Sequence, residues 1–311
     1  MDSQHPPACG SSLTQVDDNA WLGRVARINQ HSGGGERAPH KPLLILYALG
    51  RLQRERSSKV AFSEAEKPLG ELLIDAGRDP KPQYPFYRLQ SDGLWVVEMR
   101  NGEEPSESVG ALRDGAVGQF TPEFEAALLE SPSLIANTAR MLLDREFPET
   151  LHEDILSAVG LSINDVVVTL ERVAELRRRR DPMFRKRVLY AYEETCAFCG
   201  FDGLLERAAV GLEAAHVRWW AYEGPDDVQN GVCLCSLHHK LFDRGVMTVN
   251  DENRIAVSGH FRGATEASRR FVGDLNGQEV RAPQLGQPRI AEEHSSWHRD
   301  QVFRAPERVA G

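Results

Sequence analysis

The chain is short of cysteine, has no long apolar run and carries more acid than base. Its five cysteines make an odd count, and four of them (Cys196, Cys199, Cys233 and Cys235) fall within forty residues. That clustering excludes a secreted disulfide framework and points to a metal site in a reducing cytoplasm. No apolar run reaches the ~18 residues of a membrane span, so no membrane association is expected. The opening MDSQHPPACGSSLTQVDD lacks the basic start and apolar run of a signal peptide. Residues 1–19 are expected to form a disordered lead. A formal net charge of −9 argues against non-specific binding of nucleic acid over the whole surface.

What is present is an ordinary globular composition, 41% hydrophobic and 27% charged over 311 residues, which leaves room for two domains. The charge is unevenly placed. Residues 172–187, RVAELRRRRDPMFRKR, hold eight Arg and Lys against Glu175 and Asp181, a local +6. An acidic protein can bind DNA through one such face, with Arg177, Arg178, Arg179 and Arg180 along the backbone or in a groove. A solvated helix face explains the run equally well.

Residues 20–165 read as one domain. WLGRVARIN starts a helix, and HKPLLILYALGRLQRER is a mostly apolar helix with Pro42 near its first turn. KPQYPFYRLQSDGLWVVEMR, rich in aromatic and β-branched residues and broken by SDG, predicts a strand, a turn and a strand. TPEFEAALLESPSLIANTARMLLDREFP has helical apolar spacing, with Thr121 as N-cap and Pro122 at the first position. Residues 166–187 are expected as a basic helical linker, and 188–311 as a second domain with a C-terminal extension. The fold class is therefore mixed α/β in two domains.

CAFCG carries Cys196 and Cys199 as a C-x2-C pair, and CSLH carries Cys235 and His238 as a C-x2-H pair, with 35 intervening residues. Three thiolates and one imidazole suit a tetrahedral structural zinc, and each short spacing lets a tight turn aim two ligands at one ion. Cys233 is out of register with the pair and reads as core. His239 follows His238 directly. Adjacent side chains diverge by roughly 100° on a helix, so His239 faces a second site.

The order Cys-x2-Cys, His216 in AHV, Asn230 in NG, then Cys235-x2-His238-His239 resembles the HNH nuclease family with its zinc-stapled ββα-metal fold. LEAAHV followed by NGVCLCSLHHKLFDRG is similar to the branch found in modification-dependent restriction enzymes of the McrA type. The resemblance covers about residues 190–260. It implies that His216 is the general base that takes a proton from the attacking water. It implies that Asn230 orients the loop and holds His216 through its amide. His239 would bind a catalytic divalent ion (Mg²⁺, Mn²⁺, Co²⁺ or Ni²⁺). Many family members carry an Asp or His just before the base; here that position is Ala215, which leaves Glu213 and Asp243 as the nearest carboxylates in sequence. A helix-end role, or pairing with Arg244, explains Asp243 as well.

Upstream, PHKPLLILYALGRL, YPFYRLQSDGLW, LRDGAVGQF and FPETLHEDI resemble the sulfur-binding domain that precedes HNH modules in type IV restriction enzymes acting on phosphorothioated DNA. The resemblance spans about residues 20–160. It implies a helical and stranded reader with a shallow apolar pocket walled by Tyr84 and Pro85. His40 and Arg113 would hold the surrounding charge, Arg113 as a fork on the phosphate. Arg88 and Lys41 suit phosphate contacts or plain surface charge. Only one sulfur diastereomer would fit such a pocket. The whole then reads as a cytoplasmic enzyme, expected as a homodimer, that finds phosphorothioated double-stranded DNA and cuts beside the mark. A reader of methylated bases, a zinc DNA-binding protein without catalysis and an RNA nuclease are the rival readings of the same residues.

Overall fold

A computed structural model describes residues 13–28, 38–162 and 181–308. The run Arg177 to Arg180 lies outside the described residues. Among them, no helix is long and apolar enough to cross a membrane.

The N-terminal part packs helices around a small sheet. Helix α1 (Leu13–Ala26) begins earlier than WLGRVARIN suggested. Helix α2 (His40–Glu55) is the central element: ten of its residues, Pro42 to Gly50 and Leu52, are buried. Its apolar run is nearly continuous because neighbours surround it. Strand β1 (Val60–Ala61), helix α3 (Phe62–Asp75), helix α4 (Gln83–Arg88) and strand β2 (Trp95–Met99) follow. Helix α5 (Val109–Arg113) is capped by Ser108, whose hydroxyl accepts from the Ala111 amide. Strand β3 (Ala116–Phe120) then runs antiparallel between β1 and β2, with Val97 and Val60 both opposite Gly118.

Gly118 is required there, since a Cβ would lie 2.4 Å from the Trp95 ring and 2.7 Å from that of Phe86. Phe62, Phe86, Trp95, Phe120 and Phe124 form an edge-to-face chain with centroids 5.1–5.7 Å apart, the geometry that aromatic quadrupoles favour.

The segment expected to be strand, turn and strand corrects in its first half. YPFY lies in helix α4, and only the residues after SDG are extended. Phe86 and Leu89, three apart, are both buried, which is a helical period, and Pro85 in the first turn has no amide to lose. The long helical stretch that follows is two helices, α6 (Pro122–Glu130) and α7 (Pro132–Glu146). They part at Ser131, which caps α7 by accepting from the Leu134 amide at 3.3 Å. Thr121 occupies the cap position of α6 without a side-chain cap bond. Helix α8 (Glu149–Val159) closes on α2, and Gly50 allows the approach: a Cβ would meet the Val159 carbonyl at 2.1 Å.

The C-terminal part has its own core, running from Phe184 to Val280. After helix α9 (Phe184–Ala191) come a short hairpin (Leu204–Leu205 with Ala208–Ala209, β4 and β5) and a longer one. In the longer hairpin β6 (Leu212–His216) pairs antiparallel with β7 (Gly231–Cys235), His216 opposite Gly231 and Leu212 opposite Cys235. Helix α10 (Ser236–Asp243) follows directly, so strand, strand and helix make one ββα unit. A third hairpin, β8 (Met247–Val249) with β9 (Ile255–Val257), and two helices, α11 (Glu266–Phe271) and α12 (Glu292–Gln301), complete this part. The C-terminal residues are integral to it: the buried His298 of α12 stacks on Phe242 at 3.7 Å and bonds Thr248 at 2.8 Å.

The two parts meet beside the ββα unit. Leu151, Trp219 and Val302 form a small apolar cluster with Ile155, Tyr222 and Trp297. Polar ties surround it. Asp154 of α8 pairs with Lys240 (2.9 Å) and Arg244 (2.5 Å), and Tyr222 donates to the buried Glu146 at 2.9 Å.

Candidate functional site

The turn after α9 and the β7–α10 junction of the ββα unit bring the cysteine pairs together. Cys196 and Cys199 sit on a tight turn after α9, where the Gly200 amide donates to the Cys196 carbonyl. Cys235 ends β7 and His238 lies in the first turn of α10. Their four ligand atoms all lie within 4.8 Å of one another. Cys235 Sγ is 3.2 Å and Cys196 Sγ 3.6 Å from His238 Nδ1, and Cys199 Sγ is 4.0 Å from Cys235 Sγ. A tetrahedron with ~2.3 Å zinc–sulfur bonds has edges of about 3.8 Å, so the cluster has the size and donor set of a structural zinc site. His238 Nε2–H donates to the Phe271 carbonyl at 2.8 Å, which leaves Nδ1 toward the thiols. Cys233 is buried outside this cluster, and burial pushes its thiol up to about 12. It behaves as core.

The second histidine of the pair points the other way, as helical geometry requires. His239 Nδ1 is 2.6 Å from Glu213 Oε2 on β6, and its Nε2 is 3.2 Å from Asp243 Oδ2 one turn along α10. Burial would depress this imidazole, but Asp243 and then Glu213 outweigh it and hold the ring up at about 10. The His239 hydrogen bond in turn draws Glu213 down to about 2. Two carboxylates thus bracket the ring. A divalent ion would replace one ring proton and meet the carboxylate already facing that nitrogen, Glu213 at Nδ1 or Asp243 at Nε2. The donors present therefore fit a hard cation. Ala215, buried and paired with Val232, contributes nothing. Asp243 is 2% exposed and also accepts from the Thr150 hydroxyl of α8, whereas Arg244 pairs with Asp154.

His216 ends β6 on the same side of the unit. Its Nε2 bonds Asp226 Oδ1 at 2.8 Å, and Phe184 stacks on the ring at 4.1 Å. Asn230 does not hold His216 through its amide, contrary to expectation. Its carbonyl accepts from the Arg218 amide (2.7 Å), and its amide donates to the carbonyls of Arg218 (2.9 Å) and Pro225 (3.0 Å). Asn230 thus closes the loop of residues 217–230, and that loop delivers Asp226 to the ring. His216, His239 and their carboxylates open into one cleft of about 420 Å³, which Phe147, Pro148, Glu149 and Thr150 wall from the N-terminal part. Among the described residues, five carboxylates line it (Glu149, Asp181, Glu213, Asp226 and Asp243) against one guanidinium, that of Arg185. A phosphate entering such a cleft requires a cation to accompany it.

In the N-terminal part, His40 opens α2 and Tyr84, Pro85 and Arg88 belong to α4, which packs on α2. Pro85 is buried and Tyr84 half-buried. Burial, then Arg78, keeps His40 below its ordinary pKa, so its ring is neutral near a cationic rim. The Arg88 guanidinium lies 4.6 Å above the Tyr84 ring and forks onto Glu107 at 2.6 and 2.9 Å. Arg113, expected as a fork on phosphate, has both arms on Glu66 of α3 at 2.7 and 2.5 Å. Lys41 pairs with Asp92 at 2.6 Å, which makes it a structural charge. Reading the sequence missed Asp226, Thr150 and Phe184. None has a fixed spacing from the residue it serves.

Comparison with known proteins identifies both parts. Residues 18–164 match the family model of the ScoMcrA-like DNA sulfur-binding domain, and residues 196–250 match that of an HNH endonuclease. The protein is a two-domain enzyme that joins a modified-DNA reader to a nuclease. More particularly, it carries a ScoMcrA-like DNA sulfur-binding domain ahead of an HNH endonuclease domain. None of the curated proteins compared with it matches the chain. Among solved structures, the sulfur-binding domain of SprMcrA complexed with phosphorothioated DNA is 26% identical, with a TM-score of 0.40, over 46% of this chain and 94% of that one. The sulfur-binding and SRA domains of ScoMcrA, also with phosphorothioated DNA, are 23% identical, with a TM-score of 0.41, over 45% and 46%. The type IV phosphorothioation-dependent restriction endonuclease ScoMcrA is 22% identical, with a TM-score of 0.35, over 50% of this chain and 28% of its own.

Proposed function

We propose that this protein is a phosphorothioate-dependent restriction endonuclease of the cytoplasm, which binds sulfur-modified double-stranded DNA through residues 20–165 and cuts nearby phosphodiesters with residues 188–311. The observation that carries this reading is the cleft. His216 and His239, each held by carboxylates, face one volume on a ββα unit with a cysteine–histidine staple beneath it, in a chain that also carries a sulfur-binding domain.

In the nuclease, His216 takes a proton from the attacking water, and Asn230 keeps the loop that presents it in shape. His239, with Glu213 or Asp243, would hold the divalent ion, which when bound supplies positive charge to the phosphate and the leaving oxygen. Cys196, Cys199, Cys235 and His238 would hold zinc as a folding element. In the reader, Tyr84 and Pro85 would form the apolar wall for sulfur, beside the neutral ring of His40. Sulfur is weakly hydrated and enters such a wall with little penalty. A phosphate oxygen buried there without a partner costs about 1–3 kcal/mol. Arg88 and Arg113 would exchange their carboxylates for DNA phosphates, and Arg177 to Arg180 would follow the backbone. A homodimer would place two clefts on the two strands.

The test uses two duplexes of identical sequence, one bearing a single phosphorothioate of defined stereochemistry, incubated with the protein and Mn²⁺ and run on a denaturing gel. Cleavage of the sulfur duplex alone is expected. Equal cleavage of both would sink the sulfur reader, and preference for a methylated duplex would replace it with a base reader.

A further inference from the structure

We infer that Asp226 is the positioning residue of the catalytic histidine, an inference that rests on His216 being the base. The motif order does not mark Asp226; the loop closed by Asn230 brings it to His216. Its side chain is 13% exposed. Oδ1 bonds His216 Nε2 at 2.8 Å, and Oδ2 accepts the Asp181 amide at 2.7 Å. Its backbone carbonyl accepts from Arg187 at 2.8 Å. Asp226 is thus held from both sides before it holds the histidine.

A carboxylate accepts only, so Nε2 of His216 carries a proton, and in the tautomer that acts as base Nδ1 is the accepting nitrogen. Phe184 fixes the plane of the ring from its face, and Asp226 fixes its rotation from its edge. In the reaction the water O–H bond breaks and its proton goes to Nδ1. The water oxygen bonds phosphorus, and the leaving oxygen departs with its electron pair. The imidazolium so formed lies against the Asp226 carboxylate, which stabilises the charge as it develops. A second consequence concerns the join between the domains. Arg187 also pairs with Asp181 at 2.7 Å, so the residues directly after the basic segment are tied to the orientation of the base.

Asp226→Asn tests this directly. An asparagine amide can donate to Nε2, which moves the ring proton to Nδ1 and removes the base. The expected result is a ~10²–10⁴-fold fall in kcat with KM and sulfur-dependent binding unchanged. The acidic limb of the pH–rate profile, which the base sets, should shift to lower pH by about one unit, because the paired negative charge is gone. Asp226→Glu should recover part of kcat. If His216→Ala is inactive and Asp226→Asn turns over with wild-type kcat and an unmoved profile, the positioning role is wrong while the nuclease reading stands. If His216→Ala itself cuts normally, the base assignment fails and takes this role with it. Should the Asn variant melt early, the profile is read on Asp226→Glu: a displaced limb at unchanged KM supports the role, and a wild-type profile and kcat overturn it.

Discussion

The reader and the nuclease handle charge in opposite ways. In the reader, the exposed guanidiniums that would meet DNA are already paired with half-buried acids: Arg88 with Glu107 and Arg113 with Glu66. In the nuclease, the acids converge inside a cleft, and two of them bracket His239. Exposed ion pairs are weak and exchange partners easily, so the reader can trade carboxylates for phosphates. His239 and Asp243, both largely buried and bonded to each other, do not exchange, so this pair keeps its geometry until a cation replaces a proton. Recognition is built to rearrange, and catalysis is built to stay in place.

The sharpest way to break this comparison is to remove the staple. Cys196→Ser or Cys235→Ser should abolish zinc content and the melting transition of residues 188–308, while sulfur-dependent DNA binding persists. Structural zinc contributes folding free energy directly, so cleavage should vanish rather than slow. Next in size, His239→Ala should lower cleavage by about 10²–10⁴-fold and abolish its Mn²⁺ dependence, with binding to the sulfur duplex unchanged in an anisotropy titration.

In the reader, Tyr84→Ala should reduce the preference for the sulfur over the oxygen duplex by roughly tenfold, on the order of 1–2 kcal/mol, measured by competition. Thr150→Val removes the hydroxyl that α8 donates to Asp243. It should lower kcat by about 3–10-fold at unchanged DNA affinity, as loss of one hydrogen bond to a charged group allows. Smallest of all, Glu66→Ala, which frees the Arg113 fork, should tighten DNA binding about two- to fivefold at low salt, with the gain lost near ~0.5 M salt. An unchanged affinity would remove Arg113 from the DNA face.

Much of the nuclease was legible because its signals are local. Two ligand pairs at spacing two, a doubled histidine on a helix and a hairpin of fixed register place Cys196, Cys199, Cys235, His238, His216 and His239 with little help from the rest of the chain. The reader was less legible. YPFY is compatible with strand or helix, and only burial of Phe86 and Leu89 against the sheet selects helix. Arg113 carries no local sign of whether its fork meets a phosphate or Glu66.

By itself the amino-acid sequence determined the donor set of the cysteine–histidine staple and the division of the histidine pair between two sites. Those depend on residue chemistry at short separations, where backbone geometry leaves few choices. The tertiary structure alone decided that Asp226 rather than Asn230 bonds His216, that Glu213 and Asp243 bracket His239, and that Thr150 reaches the cleft from the other part. Each of those partners comes from a separate loop, strand or helix. A carboxylate or hydroxyl can bond any donor or acceptor that packing brings within about 3 Å.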